Sequence, residues 1–151
     1  MRAALALTLT LACVGCLDTV GPEVGPPLRP ICNNEDSDPN HQVRFDADIR
    51  AGLFARVDIA CTRCHTPQGA TPIGLQIGGL DLSTYASLRA GGVQSHDNII
   101  KPGDPCGSVL LQKLGAAPPF GAQMPLGGPP YLDASDLQTI SDWIAEGAKD
   151  D

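Results

Sequence analysis

Two stretches of this chain carry apolar residues at three- and four-residue intervals, and between them glycine and proline break the pattern. In the first, Ile49, Leu53, Val57, Ala60, Cys61 and Cys64 share one helical face. This predicts a helix that begins near residue 46 and runs directly into Cys61-Thr62-Arg63-Cys64-His65. In the second, Leu137, Ile140, Trp143, Ile144 and Ala148 line a C-terminal helix, and Asp133 followed by Asp136 resembles a capping arrangement at its start. Two shorter helices are expected between them. Ser83 caps one that continues through Ala90 and stops at Gly91-Gly92, and Asp104 with Pro105 at the first helical position opens another to Leu114, which Gly115 ends. The stretch from Thr66-Pro67 to Gly79 reads as loop. The expected architecture is all-α, about four helices joined by long Gly/Pro-rich loops, with no internal repeat.

The residues ahead of this domain read differently. Arg2 precedes an apolar run over 3–14 that is too short to span a bilayer, so 1–15 has the form of an export signal. The run ends in Val14-Gly15-Cys16, which resembles the lipobox of bacterial lipoproteins, where a cysteine is lipidated after cleavage. Cys16 is the better candidate, with Cys13 after Leu11-Ala12 the alternative; an ordinary secretory signal is the plainer reading. In lipoproteins an Asp after the lipidated cysteine is linked with inner-membrane retention. Leu17 stands there instead, which weakly favours the outer membrane. Residues 16–45, with Gly21-Pro22, Gly25-Pro26-Pro27 and the polar run around Glu35, Asp36 and Asp38, have the composition of a flexible tether. The domain proper is expected over 46–149, and nothing later in the chain is long enough to be a transmembrane helix.

Composition sharpens the picture. A chain of 151 residues with 4% aromatic content, 17 Gly and 14 Pro has room for one domain but poor material for a self-sufficient core. A net charge of −7 argues against nucleic acid as a partner.

The chemistry lies in the pentapeptide. Cys61 and Cys64 are spaced so that both thiols can form thioether bonds to one edge of a haem from a single helical turn, and His65 follows as an imidazole for the iron. A buried haem would also supply the aromatic centre that the composition lacks, which predicts a haem-free chain that folds poorly. A structural zinc site would need further ligands, and neither Cys32, Cys106 nor the loop histidines show a second paired spacing. A thioredoxin-like dithiol would need a strand before Cys61, where the period is helical. With Met1 lost with the signal, Met124 is the thioether of the mature chain. It sits before Pro125, which biases it toward extended backbone, in a loop stiffened by Pro118-Pro119 and Pro129-Pro130. That context suits a distal iron ligand better than a core filler. His41, in the tether, and His96, beside Asp97, are the competing ligands. Arg56, Arg63 and Lys101 are cations that either meet the propionates or remain solvated. Once signal, lipid and haem have taken their cysteines, Cys32 and Cys106 remain as a possible disulfide, permitted by an oxidising exterior.

Over 46–149 the chain resembles class I cytochrome c domains, in which an N-terminal helix leads to Cys-x-x-Cys-His, a late loop presents methionine and a C-terminal helix packs across the first. It is especially similar to small bacterial single-haem domains with Pro102-Gly103-Asp104-Pro105 before Ser108-Val109-Leu110, then Met124-Pro125 and Trp143-Ile144-Ala145-Glu146-Gly147-Ala148. Cys106 departs from that pattern, since a polar residue is expected there. The resemblance implies a cytochrome c-like fold around one covalently attached haem c. It also implies that the second nitrogen of His65 meets a backbone carbonyl near a proline after the motif, so Thr66–Pro67 is the place to look.

An iron with histidine and methionine on its two faces has no vacant position and is suited to cycling between ferric and ferrous states. The expectation is a periplasmic electron carrier rather than an enzyme, taking electrons from one redox protein and passing them to another, with a lipid anchor in the membrane. The alternative is a haem-based ligand sensor or peroxidase-like protein whose distal ligand is labile. A subunit docked in a larger redox complex is a third reading.

Overall fold

In the computed structural model, which describes residues 33–151, the first amphipathic stretch forms helix α1 (Phe45–Phe54) and buries Phe45, Ile49, Leu53 and Phe54. It is wound with π-type bonds, such as Ala55 N–H to the Arg50 carbonyl at 3.0 Å. It does not continue into the Cys-x-x-Cys-His segment as expected. Val57, assigned to the apolar face, is 95% exposed, and Ala60 adopts a left-handed conformation with φ 55°. The break has a cause in tertiary structure. The Arg56 guanidinium forks between Asp58 and Asp136, at 2.6 Å to each, and so draws the chain out of the helix toward the C-terminal segment. The motif then forms its own short helix α2 (Cys61–His65).

Four further helices follow, α3 (Ile73–Gly78), α4 (Tyr85–Ala90), α5 (Val109–Leu114) and α6 (Ala134–Ala145), with a 3-10 turn at His96–Ile99. Helix α3 lies inside the stretch expected to be loop. Helix α4 is capped by Thr84 rather than Ser83: the Thr84 and Ser87 side chains form a reciprocal box with each other's backbone N–H groups. Gly91, at φ 73°, ends it, and a Cβ there would collide with the His96 carbonyl. Helix α5 starts at Val109, later than Pro105. Asp104 does cap, but it caps a turn, accepting from Gly107 N–H at 2.9 Å. The fully buried Ser108 hydroxyl accepts from Lys101 N–H and donates to the Asp104 carbonyl, which holds 101–108 as a compact loop instead. Helix α6 begins as expected, with Asp133 accepting from Asp136 N–H at 2.9 Å.

Helix α1 packs on α6, and α5 packs on α6 and on the 3-10 turn. Their shared core gathers four of the six aromatic residues of the chain, Phe45, Phe54, Tyr85 and Trp143. The Phe45 and Trp143 rings stack with centroids 5.5 Å apart, and Tyr85 meets Phe45 edge-on at 5.4 Å. Both polar ends are satisfied, the Trp143 indole N–H by the Lys149 carbonyl and the Tyr85 hydroxyl by the Ala148 carbonyl.

The boundary expected at residue 46 falls earlier. Val43 and Phe45 are core residues, and 33–45 is fastened to α6: Ser37 donates through its N–H and hydroxyl to the Asp142 carboxylate, and Val43 N–H donates to Glu146. These backbone donors find carboxylates where no strand or helix partner is present. So the described part of the expected tether is fastened to the domain at Ser37 and Val43 and buried at Val43 and Phe45, while most of 33–42 stays exposed. The signal at 1–15, Cys13, Cys16 and Cys32 lie outside the described residues. Cys106 is disulfide-bonded. Among the described residues all regular elements are helical, and no helix is long and apolar enough to cross a membrane.

Candidate functional site

Beside the aromatic core lies a cavity of about 630 Å³. Its walls are mainly aliphatic, from Leu53, Ile59, Leu82, Leu110, Leu114 and Ile140. A volume and lining of this kind suit a bound organic group. Cys61, Cys64, His65 and Met124 all border it, although Met124 is 59 residues beyond His65 in the chain.

His65 is held from the segment after α3. Its Nδ1 lies 3.1 Å from the Leu80 carbonyl, and its own carbonyl accepts from Leu82 N–H at 2.8 Å. A carbonyl can only accept, so Nδ1 carries the proton and Nε2 keeps its lone pair. Burial lowers the imidazole pKa, with the Leu80 contact opposing it, which keeps the ring neutral as metal ligation requires. The acceptor therefore stands fifteen residues past His65 and not in the Thr66–Pro67 region. The Thr66 hydroxyl instead donates to the Thr62 carbonyl at 2.7 Å, closing α2 on itself.

Gly74 in α3 was not singled out by the sequence. A Cβ at this position would lie 2.6 Å from both Nε2 and Cε1 of His65 and 2.9 Å from Cδ2. Three such near-equal distances put it over the ring face. Gly74 thus lets the α3 backbone stack on the imidazole and fix its tilt. Gly74→Ala is expected to displace the ring from the Leu80 carbonyl. The measurement is the spin state of the loaded protein together with the chemical shift of the Nδ1 proton; an unmoved proton resonance would refute the stacking role. The sequence carries only a weak signal for α3, since Pro72 stands at the N-cap, one residue ahead of the first helical position that proline favours.

Cys61 and Cys64 are free thiols, both partly buried. Burial pushes the Cys61 thiol up to about 11, so it is protonated at neutral pH. The Cys64 sulfur sits 3.7 Å from the Thr71 hydroxyl. Two thiols one helical turn apart on an apolar cavity wall are placed to add to an unsaturated apolar group.

Met124 is half-buried against the core edge, in the loop between α5 and α6. Its N–H donates to the Lys113 carbonyl at 2.8 Å, and Gln123 donates to the Leu114 carbonyl at 2.8 Å, so the end of α5 anchors the loop. The competing histidines are elsewhere: His41 and His96 are exposed and border no part of this cavity. Of the three cations considered, Arg56 is engaged by Asp58 and Asp136, Lys101 stands away from the cavity, and Arg63 borders it. Lys113, which the sequence did not single out, borders it as well.

The donor set fits a covalently attached haem: two thiols at one wall, a neutral imidazole with a free lone pair, and a thioether in the loop between α5 and α6 that borders the same cavity. Among the described residues no three His, Cys, Asp or Glu side chains converge as a metal cluster, and no strand precedes Cys61. The zinc and thioredoxin-like readings therefore gain nothing from the fold. The chain matches no family model, no curated protein and no solved structure.

Proposed function

We propose that the protein is a single-haem c-type cytochrome with a class I cytochrome c-like fold that carries single electrons between redox proteins. The observation that carries this reading is the convergence of Cys61, Cys64, His65 and Met124 on one largely apolar cavity, with Nδ1 of His65 tied to the Leu80 carbonyl. In this reading Cys61 and Cys64 hold the haem c by thioether bonds, while His65 and Met124 ligate its iron. When bound, the group supplies a reversible one-electron couple, which thioether ligation biases toward the ferrous form. The chain's own task is to exclude water and competing ligands. Aliphatic walls lower the local dielectric, and the loop anchored to the end of α5 would hold Met124 as an iron ligand, leaving no open position for a substrate. Exposed Ile73, Ile77, Val93 and Leu126 ring the cavity, an apolar collar against which a redox partner can close.

The reading extends to location. Export through 1–15, lipidation at Cys16 (or Cys13) and residence on the periplasmic face of a bacterial membrane, the outer membrane in preference, complete the proposal; disulfide bonding at Cys106 supports an oxidising compartment. The test is the optical spectrum of protein made with haem-attachment machinery, oxidised and reduced, after denaturing extraction. Retained low-spin haem with a methionine-to-iron band is the expected result. Retained high-spin haem that binds carbon monoxide rapidly when reduced would point instead to a ligand sensor or peroxidase-like protein. Absence of retained haem would overturn both.

A further inference from the structure

Lys113, on the last turn of α5, makes contacts unlike those of the other cations of the domain. Its ammonium donates to the Phe120 carbonyl at 2.6 Å and to the Ala122 carbonyl, and it stands 4.9 Å from the centroid of the Phe120 ring. Its own carbonyl accepts from Met124 N–H at 2.8 Å. One residue thus grips the loop at 120, 122 and 124, three alternate positions that lead to the Met124 side chain. The side chain is half-buried in the cavity wall, and burial lowers its ammonium pKa below the ordinary lysine value. No carboxylate pairs with it among the described ion pairs; carbonyl oxygens and an aromatic face take that place.

We infer that Lys113 is the positioning residue for Met124, a cationic clamp that holds the 120–124 loop at the length and angle needed to keep the thioether in the cavity. The inference rests on the reading of Met124 as the distal ligand. The physical argument is economy of freedom. The loop from 115 to 133 is rich in glycine and proline and has no regular secondary structure, so its own bonds cannot hold a weak, neutral ligand against a metal. An ammonium has three donors, and two of them fasten carbonyls two residues apart. Hydrogen bonds from a charged donor are about twice as strong as neutral ones, and they act here where water is partly excluded. Arginine can offer a comparable fork, whereas methionine of similar length offers none.

The test compares wild type with Lys113→Met and Lys113→Arg as full-length, haem-loaded proteins, using two readouts. The first is amide hydrogen exchange at Met124, with Trp143 and Ile144 in α6 as internal controls. The second is the methionine-to-iron band together with the rate of carbon monoxide binding to the reduced form. For Lys113→Met, the expected result is exchange at Met124 faster by roughly ten- to hundredfold, the scale of a lost charge-assisted bond. The band should weaken or vanish and carbon monoxide should bind correspondingly faster, while α6 exchange stays unchanged. Lys113→Arg should restore most of the band. Unchanged exchange at Met124 would overturn the clamp and leave the electron-carrier reading intact. Faster exchange in α6 as well would show a general loss of fold and would overturn the specific role, and in that case Lys113→Gln, which keeps neutral donors, must show the loop effect alone to restore it. A wild type with no methionine band would overturn the electron-carrier reading, and with it the positioning role, even if the loop loosens on substitution.

Discussion

Replacing Cys61 and Cys64 together by serine is expected to abolish haem retention after denaturing extraction, an all-or-none loss and the largest functional effect predicted here. Both thiols border the cavity and both are free, so each has access to one edge of a group bound there. Serine preserves size and capping chemistry but adds no stable bond to a vinyl carbon. Either single variant should retain haem through the remaining sulfur, at lower yield. In each single variant one vinyl group stays conjugated with the ring, so the reduced absorption band should move to longer wavelength. Intact mass and the pyridine spectrum of the extracted protein check all three species. Covalent haem in the double variant would refute the attachment assigned to these two residues. His65 is unaltered in these variants, so some non-covalent haem in the undenatured double variant is compatible with the reading.

The largest effect on stability is expected from Trp143→Ala. Trp143 is fully buried, stacks on Phe45, meets Tyr85 edge-on with centroids 6.5 Å apart, and donates its indole N–H to the Lys149 carbonyl. Truncating a large buried aromatic residue costs about 3–5 kcal/mol, from lost transfer free energy plus the cavity left behind. Against a total stability on the order of 5–15 kcal/mol, this is enough to make the domain marginal. The measurement is the denaturant midpoint of the haem-loaded protein at constant slope. A loss below about 1 kcal/mol would show that α1 and α6 collapse onto the gap, contrary to the close packing of this core. Trp143 does not border the cavity, so the folded fraction of the variant should keep its methionine-to-iron band. That separates the aromatic core, which holds the helices together, from the cavity, which holds the chemistry.

The division is also visible in how the elements could be read. The C-terminal helix was legible because its signals are local: Asp133 caps it, and Ile140, Trp143 and Ile144 recur at helical spacing and are fully buried, whereas Ala148, expected on the same face, is buried beyond the helix end at Ala145 with φ 49°. The first helix was legible in its early half and misread after Leu53. Val57 has the right spacing for the apolar face, but the Arg56–Asp136 pair, between residues 80 apart in sequence, turns the chain before Val57 can use it. Periodicity registers spacing and is blind to such a pair. The same limit applies at 33–45, where the polar, proline-containing composition suggests a tether. Its Ser37 and Val43 donors are satisfied by Asp142 and Glu146, residues more than 100 positions away.

Cys61, Cys64 and His65 stood out by their spacing, and Met124 by its being the thioether of the mature chain in a proline-stiffened loop; the structure brings all four to one cavity. The residues that aim them did not stand out. The Leu80 carbonyl behind His65, Gly74 over its ring and Lys113 beneath the Met124 loop do their work with a backbone oxygen, a missing side chain and a lysine of ordinary appearance. Local sequence thus determines the helical class, the capped start of α6 and the candidate side chains that the cavity brings together. Tertiary structure decides where α1 ends, how the N-terminal segment is fastened and which groups orient the ligands, because each depends on an atom brought close by packing and carries no mark in its own sequence neighbourhood.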